Sequence, residues 1–402
     1  MYSKKNNLAF RHLKNDMICK KMPILTFGFI IALTISTFAS CKDEPLTKPA
    51  DKPIVKPTDS LTYSTDNISS VKLVKLFKVG WNLGNTLDAW GGGSKDPLIS
   101  ETSWNNPVTT KQMIDSVKAA GFNVLRIPVT WQNHFDATTF QIDKAWMDRI
   151  QTVVNYGIDN KMFVVLNMHH DNWIYPTYDK YPTISTKFKS LWSQIADRFA
   201  DYNEFLIFEA MNEPRLIGTE LEWGGGNTEA RSVINMLNAD FIKTIRDKGG
   251  KNKLRHLMIP SYACGTADRV LSALEIPKDD KIIISVHSYS PYNFALTMPG
   301  GTEFNSANAA DIAEINSTIV NIRNYFVSKN IAVVIGEMGS RDKNNLAARV
   351  DHAYYFIKTA TSAGIPCFWW DDGISAFGIL NRHAVKWEHP LILDAIMRGA
   401  AK

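Results

Sequence analysis

The chain has 402 residues, 45% of them apolar and 21% charged, a composition ordinary for soluble globular proteins and long enough for one large domain with a sizeable core. Its formal charge of +5 is local: Lys4, Lys5, Arg11, Lys14, Lys20 and Lys21 against Asp16 account for all of it. The rest of the chain is neutral, so a nucleic-acid partner lacks an electrostatic basis.

The Lys-rich lead runs into an apolar stretch, PILTFGFIIALTISTFAS from 23 to 40, followed by Cys41. Residues 1–40 read as a processing segment outside the fold. Ala39 and Ser40 before a cysteine resemble a bacterial lipoprotein signal, in which the cysteine becomes the lipidated first residue; Phe38 departs from the aliphatic residue usual three before it. The alternative is an uncleaved anchor helix of about 18 residues. CKDE at 41–44 resembles the tether of surface-exposed lipoproteins. An exported protein follows, held to the outer membrane through Cys41 on its periplasmic or outer face, or secreted. Residues 41–69, with prolines spaced among Lys, Asp and hydroxyls, read as a linker. Beyond Cys19 and Cys41, only Cys264 and Cys367 remain; they lack metal-type spacing and read as buried free thiols.

From residue 70 to 402, short β-branched runs alternate with amphipathic stretches. The strand candidates are 76–84, 122–129, 162–169, 205–212, 256–263, 281–289, 332–339 and 366–373; helical stretches include TTKQMIDSVKAAG, KAWMDRIQTVVNYGI, KFKSLWSQIADRFADY, EARSVINMLNADFIKTIRDKG, ADIAEINSTIVNIRNYFVSK and NNLAARVDHAYYFIKTATSAG. Eight repeats predict an α/β fold, a single catalytic (β/α)8 TIM barrel. No Gly-rich phosphate loop follows a strand, which counts against a nucleotide-binding sheet.

In such a barrel functional groups sit at the C-terminal strand ends. These carry Asn82, Asn85, Arg126, His169, Asn212, Glu213, His287, Tyr289, Glu337 and Trp370. Glu213 and Glu337 end strands that face each other across the mouth, the arrangement of glycoside hydrolysis, in which one acid is protonated and the other ionised. Arg126 and Tyr289 are placed to hold one of them ionised. The residue types alone leave open which.

GWNLGNTLDAW, ETSWNNP, FNVLRIPVTW, LNMHHDNW, FEAMNEPR, VHSYSPYNF, IGEMGS and FWWDDG resemble glycoside hydrolase family 5, most closely its subfamily 4 endoglucanases and xyloglucanases. The resemblance implies Glu213 as general acid/base and Glu337 as nucleophile. It also implies Asn212 on the sugar 2-hydroxyl, Arg126 and Tyr289 on Glu337, His287 behind the acid/base, His169 in the −1 subsite and Trp370 as its floor. Neither cofactor nor metal is implied.

Glu209, four residues before Glu213, reads as a buried structural acid one layer down. HHD at 169–171 lacks a third ligand at fitting spacing, and His170 reads as a supporting histidine. Asp371 and Asp372 read as solvated or capping. Among Trp90, Trp104, Trp131, Trp173, Trp223 and Tyr292, about half are expected to line a cleft and stack on sugar rings, with Trp131 and Trp173 counted among the substrate contacts and Asn82 as support. Long loops at 85–108, 171–184, 214–227 and 290–308 would wall that cleft. The leading expectation is a monomeric, retaining, endo-acting β-1,4-glucanase acting on a cellulose-like glucan, a mixed-linkage glucan or xyloglucan. Mannanase or xylanase action and a noncatalytic glycan-binding lipoprotein are the alternatives.

Overall fold

A computed structural model describes residues 67–91, 96–373 and 376–401. The leader, Cys19, Cys41 and the linker up to residue 66 lie outside them. Eight parallel strands, β1 (Gly80–Leu83), β2 (Val124–Ile127), β3 (Phe163–Asn167), β4 (Leu206–Glu209), β5 (Leu257–Pro260), β6 (Ile282–His287), β7 (Ala332–Met338) and β8 (Cys367–Asp371), close into a barrel in chain order. β8 pairs with β1, with Trp370 opposite Asn82. Every strand is buried throughout, as parallel strands filled on the inside and covered by helices outside must be.

The helices are α1 (Ser70–Val74), α2 (Lys111–Ala119), α3 (Lys144–Asp159), α4 (Tyr181–Arg198), α5 (Thr228–Asp247), α6 (Asp268–Leu271), α7 (Tyr292–Ala295), α8 (Ala309–Tyr325), α9 (Leu346–Ser362) and α10 (Pro390–Gly399). α3 shows why they form: Trp146, Ile150, Val153, Val154, Gly157 and Ile158 recur at helical spacing and are its buried face. Gly157 lets that face lie flat, since a Cβ there would sit 2.6 Å from Val164 of β3.

The strands are shorter than their apolar runs. FLIFEAMN is strand only through Glu209, although the N–H groups of Ala210 and Asn212 still donate to the carbonyls of Met258 and Met168. The link between β5 and β6 carries only a 3-10 turn, Tyr262–Cys264, and the single turn α6, and the eighth outer helix is α10 after β8. A small hairpin, β9 (Leu380–Asn381) with β10 (Lys386–Trp387), precedes α10.

At the opposite end of the barrel, α1 begins under an N-cap from Ser69, and Ser70 Oγ lies 2.7 Å from Nδ1 of His256. The buried guanidinium of Arg255 caps the end of α4, donating to the carbonyls of Phe199 and Tyr202.

His134 is a weak point in this core. Its ring stacks on Trp146 with centroids 3.9 Å apart, yet neither ring nitrogen meets a hydrogen-bond partner among the described residues. Burial pushes its pKa down to about 4. The fold therefore requires the neutral ring, and this contribution to stability is lost as pH falls from 6.5 towards 4. His134→Phe keeps the stacking and removes two unsatisfied nitrogens, so thermal unfolding should show a gain of about 1 kcal/mol at neutral pH. That gap should widen on acidification; an equal or narrowing gap at pH 4–5 would contradict the reading.

Candidate active site

Arg126 rises from β2 into the barrel with no exposed surface. Its Nε donates to Glu209 Oε2 at 2.7 Å, Nη1 to Asn82 Oδ1 at 2.9 Å and to Glu337 Oε1 at 2.8 Å, and Nη2 to Asn212 Oδ1 at 2.8 Å. Asn82 is fixed in turn by donating to the carbonyls of Gly336 and Trp369. Glu209 also accepts from Ser285 Oγ at 2.6 Å and Asn167 Nδ2 at 3.2 Å. It is the buried structural acid expected from its position one layer below the mouth.

Glu337 and Glu213 meet above this layer. A ligand oxygen of each, together with a nitrogen of His287, lies within a mutual 4.8 Å. Both Glu337 oxygens carry donors, Arg126 on Oε1 and the Tyr289 hydroxyl on Oε2 at 2.9 Å. Glu213 is met differently: its Oε1 lies 2.8 Å from His287 Nδ1, and Arg215 Nη1 stands 3.8 Å from Oε2. Glu213 has φ of 43°, a left-handed conformation that a glutamate rarely adopts, and such strain clusters at functional sites. It turns the side chain from the end of β4 toward His287.

The protonation of the three groups is linked. Burial raises the Glu337 pKa above the ordinary value, against the opposing charges of His287 and Arg126. Burial acts the same way on Glu213, but the hydrogen bond and charge of His287 outweigh it and lower its pKa. Burial also disfavours a charged His287, and Cys264, Glu337 and Glu213 overcome it, raising the ring well above its usual range. One proton thus lies in the short contact between Nδ1 and Oε1. A proton on His287 with both carboxylates ionised, and a proton on Glu213 with a neutral ring, are the same charge state. Tyr289, raised well above 10 by burial and by Glu337, remains a phenol that donates. One acid can deliver a proton while its neighbour, tied to a permanent cation, attacks.

His169 stands beside the pair, Nδ1 against Asn167 and Nε2 3.9 Å from Glu337 Oε1. The ring of Trp370 lies parallel to it at 5.6 Å. Gly84 makes room for that indole, since a Cβ there would come within 2.7 Å of it.

Other expectations need correction. Trp131 is fully buried, its Nε1 donating to the Asn167 carbonyl at 2.9 Å, so it braces β3 rather than facing a cleft. Trp173 packs against Phe135, with the Lys187 ammonium 4.8 Å over its ring and its Nε1 on Asp171, which leaves it a wall residue with one face taken. Trp90, Trp223 and Tyr292 are the exposed rings, and Trp104 is half-buried between Trp90 and His170. Asp371 and Asp372 are buried rather than solvated. They accept backbone N–H groups of 373 and 376–380, and Asp371 pairs with Arg382, so both organise the loop after β8. His169 and His170 lie past the end of β3, where strand alternation no longer applies, and their rings meet edge to face at 4.5 Å.

Asp88, from the loop after β1, supplies the third group that sequence spacing did not offer. With His169 and His170 it forms a set whose ligand atoms lie within 4.8 Å of one another. Two imidazoles and a carboxylate are donors a transition metal accepts; here burial lifts Asp88 to about 7 while it accepts from the backbone of Thr86 and Asn85. Asn167, Ser285, Asp88 and Arg215 were not singled out from the sequence, although Asn167, Asp88 and Arg215 lie within the stretches that carry the family resemblance; Cys264 is the buried free thiol expected.

Residues 93–375 match the family model for cellulase, glycosyl hydrolase family 5. The chain belongs to that family. Among family 5 relatives, it is 44% identical over 344 residues to endoglucanase B of Clostridium cellulovorans, covering 83% of this chain and 76% of that one. It is 45% identical to the cellulase/esterase CelE of Acetivibrio thermocellus, of which it covers 41%. Two solved family 5 structures superpose with TM-scores of 0.80. One is a broad-specificity subfamily 4 endoglucanase from Ruminococcus champanellensis with bound cellotriose (42% identity, 83% of this chain and all of that one). The other is a lichenase from Caldicellulosiruptor sp. F32 (43% identity, 86% of this chain and 99% of that one).

For a family 5 hydrolase with these electrostatics, kcat/KM should follow a bell in pH. The acid limb reports protonation of the buried Glu337 carboxylate and should lie above 4.5, the ordinary glutamate value. The basic limb reports loss of the proton shared by Glu213 and His287. Initial rates from pH 3 to 10 measure both, and an acid limb at or below 4.5 would contradict the burial argument.

Proposed function

We propose that this family 5 enzyme is an endo-acting, retaining β-1,4-glucanase, with cellulose-like or mixed-linkage glucan or xyloglucan as substrate. The observation that carries the reading is the pair of carboxyls within reach of each other, one held by Arg126 and Tyr289 and the other sharing a proton with His287. In the first step a Glu337 oxygen attacks the anomeric carbon, the glycosidic C–O bond breaks, and Glu213 gives its proton to the departing oxygen. In the second, the Glu213 carboxylate takes a proton from water, the water oxygen attacks the same carbon, and Glu337 leaves. Asn212, anchored by Arg126, hydrogen-bonds the 2-hydroxyl, where contacts strengthen in the transition state. His169 contacts the −1 sugar and Trp370 lies beneath it. No step needs a cofactor.

The names of the relatives, all β-glucan enzymes, support the substrate class, and exposed Trp90, Trp223 and Tyr292 on the mouth loops suit an open cleft that binds within a polymer. The apolar leader ending in Ala39, Ser40 and Cys41 supports export and a lipid anchor on Cys41, with the linker to residue 69 as tether.

The test is a reducing-sugar assay over carboxymethyl cellulose, barley β-glucan, xyloglucan, mannan and xylan, with Glu213→Ala and Glu337→Ala beside the native enzyme. The β-glucans should be cleaved fastest, with an early fall in viscosity. Glu337→Ala should be inactive on all, and Glu213→Ala should lose about 10²- to 10⁴-fold on polysaccharide but far less on a dinitrophenyl cellobioside. Preference for mannan or xylan would overturn the substrate class. Substantial turnover by Glu337→Ala would overturn the mechanism.

A further inference from the structure

Asn167, the last residue of β3, has no exposed surface and lies opposite Glu209 of β4 in the barrel's register. Both ends of its amide are committed. Oδ1 accepts the backbone N–H of Val129 at 3.0 Å. Nδ2 donates to Glu209 Oε2 at 3.2 Å, the oxygen that also accepts from Arg126, and lies 3.2 Å from Nδ1 of His169. The oxygen and nitrogen of an amide are told apart by the groups that face them, and here both ends agree. A backbone N–H can only donate, and a carboxylate oxygen held by a guanidinium can only accept. Turned over, the amide would set N–H against N–H at Val129 and oxygen against oxygen at Glu209.

The orientation of the amide decides the state of the ring two residues on. An amide nitrogen offers two hydrogens; with one on Glu209, the other meets His169 Nδ1, which must be bare to accept it. A neutral imidazole that is bare at Nδ1 carries its hydrogen on Nε2. A doubly protonated ring would again bring N–H against N–H, and burial acts in the same direction, holding the His169 pKa well below 6.5. Nε2 stands 3.9 Å from Glu337 Oε1, beyond hydrogen-bonding length, and the ring lies parallel to Trp370 at 5.6 Å.

We propose that Asn167 is a positioning residue that holds His169 in its neutral, Nε2-protonated form, so that the ring presents the −1 sugar with a hydrogen-bond donor and no acceptor. The inference rests on the glycosidase reading of this site. An N–H directed there suits a sugar oxygen, and beside the Glu337 carboxylate it attracts where a lone pair would repel. One run of contacts, from the Val129 N–H through Asn167 and Glu209 to Arg126, thus sets both the ring's tautomer and the cation that holds the nucleophile.

The tautomer is read directly from nitrogen–proton correlation spectra of enzyme labelled in its histidine rings, without substrate, with His169→Ala to assign the ring among the nine histidines. Nδ1 of His169 should show the shift of an unprotonated nitrogen and Nε2 that of an N–H. The reverse pattern, or averaging between the two forms, would overturn the proposal. Kinetics then asks whether Asn167 acts through the ring. On an aryl cellobioside, kcat/KM of Asn167→Ala should fall about tenfold, the worth of one neutral hydrogen bond. The same substitution in a His169→Ala background should cost less than about twofold. Equal losses in the two backgrounds would mean that Asn167 only supports the fold, and would overturn the proposal; if Asn167→Ala does not fold, the native spectrum decides alone. Because the spectrum needs no turnover, a wrong tautomer is distinguished from a native enzyme that leaves β-glucans uncleaved, which would overturn the glycosidase reading instead.

Discussion

One guanidinium, that of Arg126, organises this molecule's chemistry. A charge so fully enclosed is tolerated only when paired and hydrogen-bonded, and here four donor contacts reach four side chains, Asn82 on β1, Glu209 on β4, Asn212 just past it and Glu337 on β7. Moving any of those strands by a fraction of a hydrogen-bond length would leave a buried charge short of a partner. The barrel's closure and the placement of its reactive oxygens are therefore one constraint. The Glu337 carboxylate held by this cation stands where the reaction's transition state places positive charge on a sugar ring.

The two reactive acids differ because their surroundings do. Glu337 is saturated with donors, including one that never loses its charge. Glu213 has a titratable partner, His287, and somewhat more solvent, 17% side-chain exposure against 6%. The distinction lies in the partners rather than in the residue type, since both are glutamates. It lets one carboxyl remain a nucleophile while the other hands a proton out and takes one back. The left-handed backbone at Glu213 marks the place where the chain is bent to bring its carboxyl to His287.

Much of this could be read from the residues because a barrel concentrates function at strand ends. Asn212-Glu213-Pro214 ending an apolar run, Glu337 at the end of another, and Arg126 and Tyr289 beside them are polar groups where a buried strand should carry none. Glu209 is the buried structural acid expected, bonded to Arg126, Ser285 and Asn167, although the strand alternation behind that expectation stops at Glu209 itself. The misses have a common cause. Trp131 looks like a cleft residue because a tryptophan after a strand suits either a cleft or a core, and only the Asn167 carbonyl decides. Asp88 acquires its meaning from histidines 81 and 82 positions away. No helical stretch stands out between the fifth and sixth strand runs, and the crossover there carries only short turns, α6 among them, while β5 and β6 pair directly.

The central claim is that Arg126 holds Glu337 ionised. The most direct measurement is the pH profile of kcat/KM for the double variant Arg126→Gln/Glu209→Gln, which removes the cation together with its structural counter-charge, with folding checked by circular dichroism. The account predicts a folded protein whose acid limb moves up by about one unit or more, with activity at neutral pH falling correspondingly. A folded variant with the native acid limb and near-native turnover would contradict it.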